Sequence, residues 1–430
     1  MLTLAMGMTF NLFAHSEHDK ARFVAENGVD KGNCDNPLRP CKTIGYAVLR
    51  ANKGDRVLVA SGTYQINNVD ELFYLKSHLV PVRGGYNKFD HFQSQSPSLN
   101  QTTLLGVPAD MAVALKKQGF NVVADGKSLH IEKALTKKLA SFSNLSKAQS
   151  NVNCVDGKAD TFDCQNIDLL SHMPLNNISI APGRASDIWG HVDLNTGKEY
   201  AIMGLSNGTV VVDVSQPTAP VEVGSIPGKN VIWRDIKVYQ YFDEALNLWQ
   251  AYAYITLDGS SSFNTDYVTI LNLNNLPHSI NVVENNQAAY QAHNIYISNV
   301  DHSLNIARPN TTPILQLVGT EQNVGRFQNY SLADPSTITP LPTNYSGDIA
   351  AGPRPYTHDG SSILINDERK DRDCVNSNTS CSVFIDFNES EMLLWDITDT
   401  NNVTALGKGT YSNPQYVHSG WSTEDHQYIF

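Results

Sequence analysis

From residue 186 onward, five short segments place hydrogen-bonding and metal-ligating side chains at matching positions. They are Ser186-Asp187-Ile188-Trp189, Arg234-Asp235-Ile236-Lys237, His293-Asn294-Ile295-Tyr296, His358-Asp359-Gly360-Ser361 and His418-Ser419-Gly420-Trp421. Neutral imidazoles suit zinc, copper, iron or nickel, and carboxylates suit calcium or manganese. Brought together, Asp187, Asp235, His293, Asn294, His358, Asp359 and His418 could hold one divalent metal ion. The same set could serve as general acid and base. The competing role is structural, because buried polar atoms must be paired and such networks imitate sites. The structural role is the favoured reading of the two, and no cofactor other than such an ion follows.

Other chemistry-bearing patterns are absent. The chain has no Gly-x-Ser-x-Gly elbow, no phosphate-binding glycine-rich loop and no His-Glu-x-x-His. Asp258-Gly259-Ser260-Ser261-Ser262 and Gly360-Ser361-Ser362 read as turns rather than nucleophiles. Trp189, Trp233, Trp249, Trp395 and Trp421 are spread along the same region and read as packing residues rather than a sugar platform. No catalytic residue is assigned.

The elements that would position these residues are strands. From Gly183 the pattern runs SDIWGHVD, LNTGK, EYAIMGL, SNG, TVVVDVS, QPTAP, VEVGSI. Ser206-Asn207-Gly208 between two alternating apolar runs signals a hairpin. Four strands in about 40 residues is the size of a propeller blade. TVVVDVSQPTAPVEVG (209–224) lines up with EMLLWDITDTNNVTALG (391–407), and 268–284 and 325–341 are looser copies. The fold class expected is therefore mainly β: a β-propeller over 183–430, with four blades and the start of a fifth. In such a fold the first strand of each blade lines a central channel, which would gather the seven residues at its mouth. Phe430 would fall within the fifth blade's second strand, so the sequence is read as a fragment or an interrupted gene.

The matching segments also carry a resemblance. The Cys154-to-Cys164 segment, Asp187-Ile-Trp-Gly, Glu199-Tyr-Ala, Trp233-Arg-Asp-Ile-Lys, Ala292-His-Asn, Tyr356-Thr-His-Asp and His418-Ser-Gly-Trp resemble bacterial surface proteins with LVIVD-type propeller repeats, in particular the choice-of-anchor B family. The resemblance covers about residues 150–430 and implies an exported protein fixed to the envelope by a C-terminal anchor. It does not supply an activity.

Residues 21–145 read as a separate, short β-helix-like α+β unit. A strand, a polar loop, a helix from Thr43 to Asn52 and a strand from Arg56 to Ala60 follow one another, and Ser61-Gly62 turns the chain. This resembles the opening of pectin-lyase-like right-handed parallel β-helices, through Phe23-Val24, Asn27-Gly28, Asp30, Pro40, Lys42-Thr43-Ile44, Gly54-Asp55 and Gly62-Thr63-Tyr64. Gly84-Gly85-Tyr86 and Thr102-Thr103-Leu104-Leu105-Gly106 would be later rungs. At about 20–25 residues per turn, only two to four rungs fit, too few for a pectin-degrading groove. A helix (Ala109 to Gln118), a strand (Phe120 to Ala124) and a helix (Leu129 to Leu145) would follow. Residues 146–182 are a polar connector, where Asp156, Asp160 and Asp163 lack the spacing of a calcium loop.

Composition and cysteine usage bound the compartment. The 430 residues carry a net charge of −12, with 17% charged and 41% hydrophobic residues. That balance argues against a nucleic-acid partner and against an anionic membrane surface. Six cysteines fall as Cys34 and Cys41, Cys154 and Cys164, Cys374 and Cys381, each pair within a polar loop. Local disulfides are the simplest pairing, and no Cys-x-x-Cys suggests zinc. Met1 to Ser16 reads as the end of a secretion signal, though it lacks a basic start. The expectation is an extracellular, cell-surface or periplasmic protein that binds an extracellular protein or glycan, associated with a membrane only through an anchor outside this chain. The alternative is a metal-dependent hydrolase or lyase acting on an extracellular polymer.

Overall fold

A computed structural model describes residues 20–430, apart from 53, 78, 124, 127–128, 259–266, 284–291, 321–322, 324, 348–355, 411 and 413–415. The signal-like segment Met1 to Ser16 and the serines at 260–262 lie outside the described residues. The described chain is mainly β, arranged in several open sheets. It divides into two compact units: His15–Lys147 with Asp160–Asp163, and Ala148–Ala159 with Cys164–Phe430.

In the first unit, strands β1 (Ala21–Val24), β2 (Arg56–Ala60) and β4 (Val82–Tyr86) form a parallel sheet in the order β1-β2-β4. Strands β3 (Gly62–Gln65), β5 (Thr102–Leu105) and β6 (Phe120–Val123) form a second parallel sheet in the order β3-β5-β6. Each sheet therefore grows as the chain makes successive passes. Val57, Val59, Tyr64, Leu104 and Phe120 meet in the core. Helix α1 (Ile44–Leu49) packs on β1 and β2 and is shorter than the expected Thr43 to Asn52. At its start, Asp30 accepts the Lys42 and Thr43 amides, and the Thr43 hydroxyl accepts the Tyr46 amide. At its end, the Asp55 carboxylate takes the Asn52 amide at 2.7 Å and draws the chain out of the helix.

Helix α2 (Val69–Ser77), which sequence patterning does not single out, packs against helix α4 (Leu129–Asn144). Helix α3 (Ala112–Lys117) follows a single 3-10 turn at Ala109–Met111. The core of this unit also holds charge. Arg22 and Asp55 are buried and joined at 2.6 and 2.7 Å, and Glu71 accepts the Gly45 and Asn67 amides.

In the second unit, four sheets built on antiparallel meanders follow one another, the second gaining a parallel strand at Ile306 and the fourth a parallel strand at Tyr345–Ser346. Sheet 1 is Ala185–Val192, Glu199–Leu205, Gly208–Asp213 and Val221–Pro227. Sheet 2 contains Ile236–Asp243, Leu248–Ile255, Thr269–Asn272 and Asn281–Val282. Sheet 3 is Asn294–Ser298, Ile314–Val318, Gln328–Asp334 and Thr337–Pro340. Sheet 4 contains Asp359–Ile365, Cys381–Phe387, Met392–Asp396 and Val403–Gly409. Within each meander the strands are neighbours in chain order, and in sheet 3 the segment 300–307 intervenes between the first two. The hairpin at Asn207 forms as expected, with Leu205 opposite Gly208. Gly208 has φ +157°, and a Cβ there would sit 2.2 Å from the Ile226 carbonyl oxygen.

The first strands of sheets 1 and 2, of 2 and 3, and of 3 and 4 lie against each other in chain order. A short hairpin from sheet 3 (Val300–Asp301 and Ile306–Ala307) crosses to pair with the first strand of sheet 2, Ile306 opposite Gln240. Two sequence expectations need correction. Gly360-Ser361-Ser362 is not a turn but the start of a strand, because Ser361, Ile363 and Ile365 alternate as buried positions on one face and Gly360, on the other, leaves room for the Phe384 ring. No fifth sheet begins near His418 among the described residues: residues 416–430 make only isolated bridges, and the Trp421 and Phe430 backbones bond each other around a Thr423–Asp425 turn.

All three expected disulfides are present: Cys34–Cys41, Cys154–Cys164 and Cys374–Cys381.

A buried ion pair is costly to break because the surviving charge has no solvent. Replacing Arg22 with Ala should cost about 3–5 kcal/mol of unfolding free energy in a denaturant titration. Replacing Lys76 with Ala, whose Asp110 partner is exposed, should cost less than about 1 kcal/mol.

Candidate functional site

The seven residues singled out in the sequence fall into two adjoining sets at the inner strands of the second unit. The first set surrounds Lys237. Its ammonium donates to Asp235 Oδ1 at 2.8 Å and to the Ile236 carbonyl at 3.0 Å, lies 4.0 Å from Asp187 Oδ2, and sits 4.2 Å above the Trp189 ring. Strand alternation explains the pairing: Asp235 and Lys237 are two residues apart and face the same side. Asp235 is buried with both oxygens engaged, Oδ1 also accepting the Ile236 amide and Oδ2 accepting the Ile295 amide at 2.8 Å. That last bond ties sheet 2 to sheet 3.

Asp235 and Asp187 share one ammonium here, and Asp359 feels the charges of Asp235 and Lys237, so the three carboxylates cannot all ionise at equal cost. Burial opposes charge on Asp235, but Lys237 and the bonds it receives hold its carboxyl below the usual range. Burial, and then the Asp235 charge, push Asp187 up to about 8 and Asp359 up to about 7. Burial disfavours the Lys237 ammonium, yet Asp235 and Asp187 outweigh it and raise its pKa.

The second set is a relay of rings. His293 Nδ1 lies 2.9 Å from Asp258 Oδ2, and His293 Nε2 lies 3.2 Å from His358 Nε2. His358 Nδ1 lies 3.0 Å from the His418 carbonyl oxygen, and the His358 and His418 rings are 4.4 Å apart. A carbonyl oxygen only accepts, so His358 Nδ1 carries a hydrogen and its Nε2 accepts. His293 Nε2 must then donate. Asn294 clamps this set by donating to the His358 carbonyl at 3.0 Å and accepting Trp233 Nε1 at 2.6 Å. Thr256 joins the two sets, its hydroxyl accepting the Asp235 amide and donating to the His293 carbonyl.

The structure therefore brings Asp187, Asp235 and Asp359 together around Lys237, and His293, Asn294, His358 and His418 together beside Asp258. It does not converge the seven on one point. Among the described residues, no group of three or more His, Cys, Asp or Glu side chains is arranged to hold a metal ion. The arrangement is a buried polar network that links four sheets. His293 and His358 are each 1% exposed, whereas the Asp187 side chain is 30% exposed and opens the first set to solvent.

Sequence reasoning did not pick out Lys237, Asp258, Thr256 or Trp233 as parts of the network. Lys237 stands in the matched Arg-Asp-Ile-Lys segment, and its two-residue spacing from Asp235 was the available signal. Asp258 precedes a Gly-Ser run that looks like a turn, and its buried partner is remote in sequence. The hairpin at 300–307 was also unforeseen. Its Asn305 accepts Trp189 Nε1 and donates to the Gly190 carbonyl, both at 2.9 Å, and fills space beside the inner strands.

These shifts set the pH dependence of stability. With folded values above the ordinary 3.8, Asp187 and Asp359 contribute stability that is present at low pH and lost as pH rises through about 7 to 8. Burial lowers His191 and His302 to about 4, so their contribution has the opposite slope and ends near their ordinary value of 6.5. The slopes oppose below 6.5, and only the carboxylate slope remains above it. The thermal midpoint should fall between about pH 6.5 and 8, and Asp187→Asn should flatten that fall. A midpoint that rises over this window would contradict the network. In comparisons with known protein families and with curated proteins, no match to the chain is found.

Proposed function

We propose that the second unit is a β-propeller-type binding module of an exported protein, of the kind found in LVIVD-repeat, choice-of-anchor B surface proteins, preceded by a short parallel β-helix-like unit. The observation that carries this reading is the chain-ordered apposition of the first strands of four meander sheets around a polar hub. A propeller places like strands of successive blades side by side, and the connections at the blade ends then form one display surface. The hub itself is committed to structure: Asp235, Asn294, His293 and His358 spend their polar atoms on one another and on the backbone. Ligand contact then falls to the loops, as in most rigid scaffolds.

Three disulfides are consistent with an oxidising compartment, where such bonds persist. An extracellular protein or glycan is the partner in keeping with that compartment and with a net charge of −12. The second reading, a polymer-cleaving enzyme, draws on the His293–His358 pair as a proton carrier.

The two readings separate in one experiment. The purified chain, immobilised, is offered cell-wall polysaccharides and extracellular matrix proteins, and retained material is sized. Retention of at least one polymer at unchanged length supports the binding module. Shortening of the polymer that disappears in His293→Ala overturns it in favour of the enzyme, and no retention at all also overturns it.

A further inference from the structure

We propose that Lys237 and Asp187 are a modification site, at which the amine and the carboxyl condense into an amide that ties the first strand of sheet 1 to the first strand of sheet 2. The site is independent of what the module binds. Among the described residues Lys237 is the one buried lysine, and its ammonium stands between two carboxyls. Lys76 and Lys198, by contrast, have far more exposed side chains and one carboxylate partner each.

Each part that the condensation needs is in place. The nucleophile is the Lys237 amine, whose side chain is 9% exposed and whose Nζ lies 4.2 Å from the centre of the Trp189 ring, which shields it from water. The base is Asp235, with Oδ1 at 2.8 Å from Nζ, within reach of direct proton transfer. The electrophile is the Asp187 carboxyl, hydrogen-bonded to Asp235 and with Oδ2 at 4.0 Å from Nζ. Asp187 is the most exposed of the three, and its side chain has room to close to the about 3–3.5 Å of a reacting pair. Burial favours the neutral acid at Asp187, the form that an amine attacks.

The Lys237 ammonium first gives one proton to Asp235. The free amine then adds its lone pair to the Asp187 carboxyl carbon, and the C–N bond forms. The C–OH bond breaks, and the hydroxyl leaves as water with a second proton from the nitrogen. The products are one amide, one neutral Asp235 carboxyl and one water, and nothing is oxidised or reduced. A buried ion pair is exchanged for two neutral groups, which removes a desolvation cost. Fixed proximity replaces the high concentration that a condensation otherwise needs. Like a disulfide, the link closes a loop in the unfolded chain, but it survives reduction. The pH slope derived above belongs to the unlinked chain, in which Asp187 still titrates.

The test uses the whole purified chain, incubated for a week at neutral pH, then reduced, alkylated and weighed intact by mass spectrometry. The expected mass is that of the alkylated sequence less one water, and digestion should release a branched peptide joining Lys237 to Asp187. Lys237→Arg, which keeps the positive charge, should carry the full mass. Asp235→Asn, which removes the base, should slow the appearance of the branched peptide about a hundredfold. Thermal unfolding checks that each variant is folded. Full mass in the folded parent overturns the proposal. So does a water loss that maps to a cyclised Asp-Gly step such as Asp156-Gly157, or a branch from Lys237 to Asp359 instead of Asp187. Equal rates in the parent and Asp235→Asn would overturn the role given to Asp235. None of these outcomes depends on polymer retention, so the binding-module reading stands or falls separately.

Discussion

Asp235 is the constraint on which the second unit depends. A carboxylate can be buried only when its oxygens are claimed and its charge is balanced. Here the claims come from three places: the ammonium of Lys237, the adjacent Ile236 amide and the Ile295 amide of the next sheet. The requirement to satisfy one buried charge thus fixes the distance between two sheets. Neighbouring side chains adjust to it. Burial, and then the charge on Asp235, raise the carboxyls of Asp187 and Asp359 toward neutrality.

The histidine set meets the same requirement through hydrogen bonds between side chains. Asp258, His293 and His358 pair along one line of hydrogen bonds, ending on the His418 carbonyl. Both sets occupy the starts of first strands, where a meander sheet has a backbone edge to offer its neighbour. Apolar packing then holds the sheets further out, with Tyr254, Ile270, Ile297 and Leu317 in one cluster and Phe327, Phe384 and Trp395 in another.

Much of this was legible in the sequence wherever a local pattern decides the structure. The Asn207-Gly208 turn, the strand Arg56–Ala60 and the cysteine pairs each depend on residues within about ten positions of one another. The matched segments at Asp187, Asp235, His293 and His358 fall at the first strands of the four sheets, whereas the one at His418 leads into isolated bridges among the described residues. What sequence did not reveal depends on remote partners. Asp258 reads as a turn residue until His293 is beside it. Gly360-Ser361-Ser362 reads as a turn until Phe384 and Ile385 cover it as the next strand. The helix Val69–Ser77 was missed because its buried Glu71 breaks the apolar stripe, and only the Gly45 and Asn67 amides explain it.

The most direct measurement of the central claim is amide hydrogen exchange on the Asp235→Ala chain. If Asp235 anchors sheet 2 to sheet 3, the Ile236 and Ile295 amides should lose their protection together, while amides in the outer strands of sheet 1 keep theirs. Unchanged protection at Ile295 would show that the sheets hold their spacing without this carboxylate, and would contradict the account.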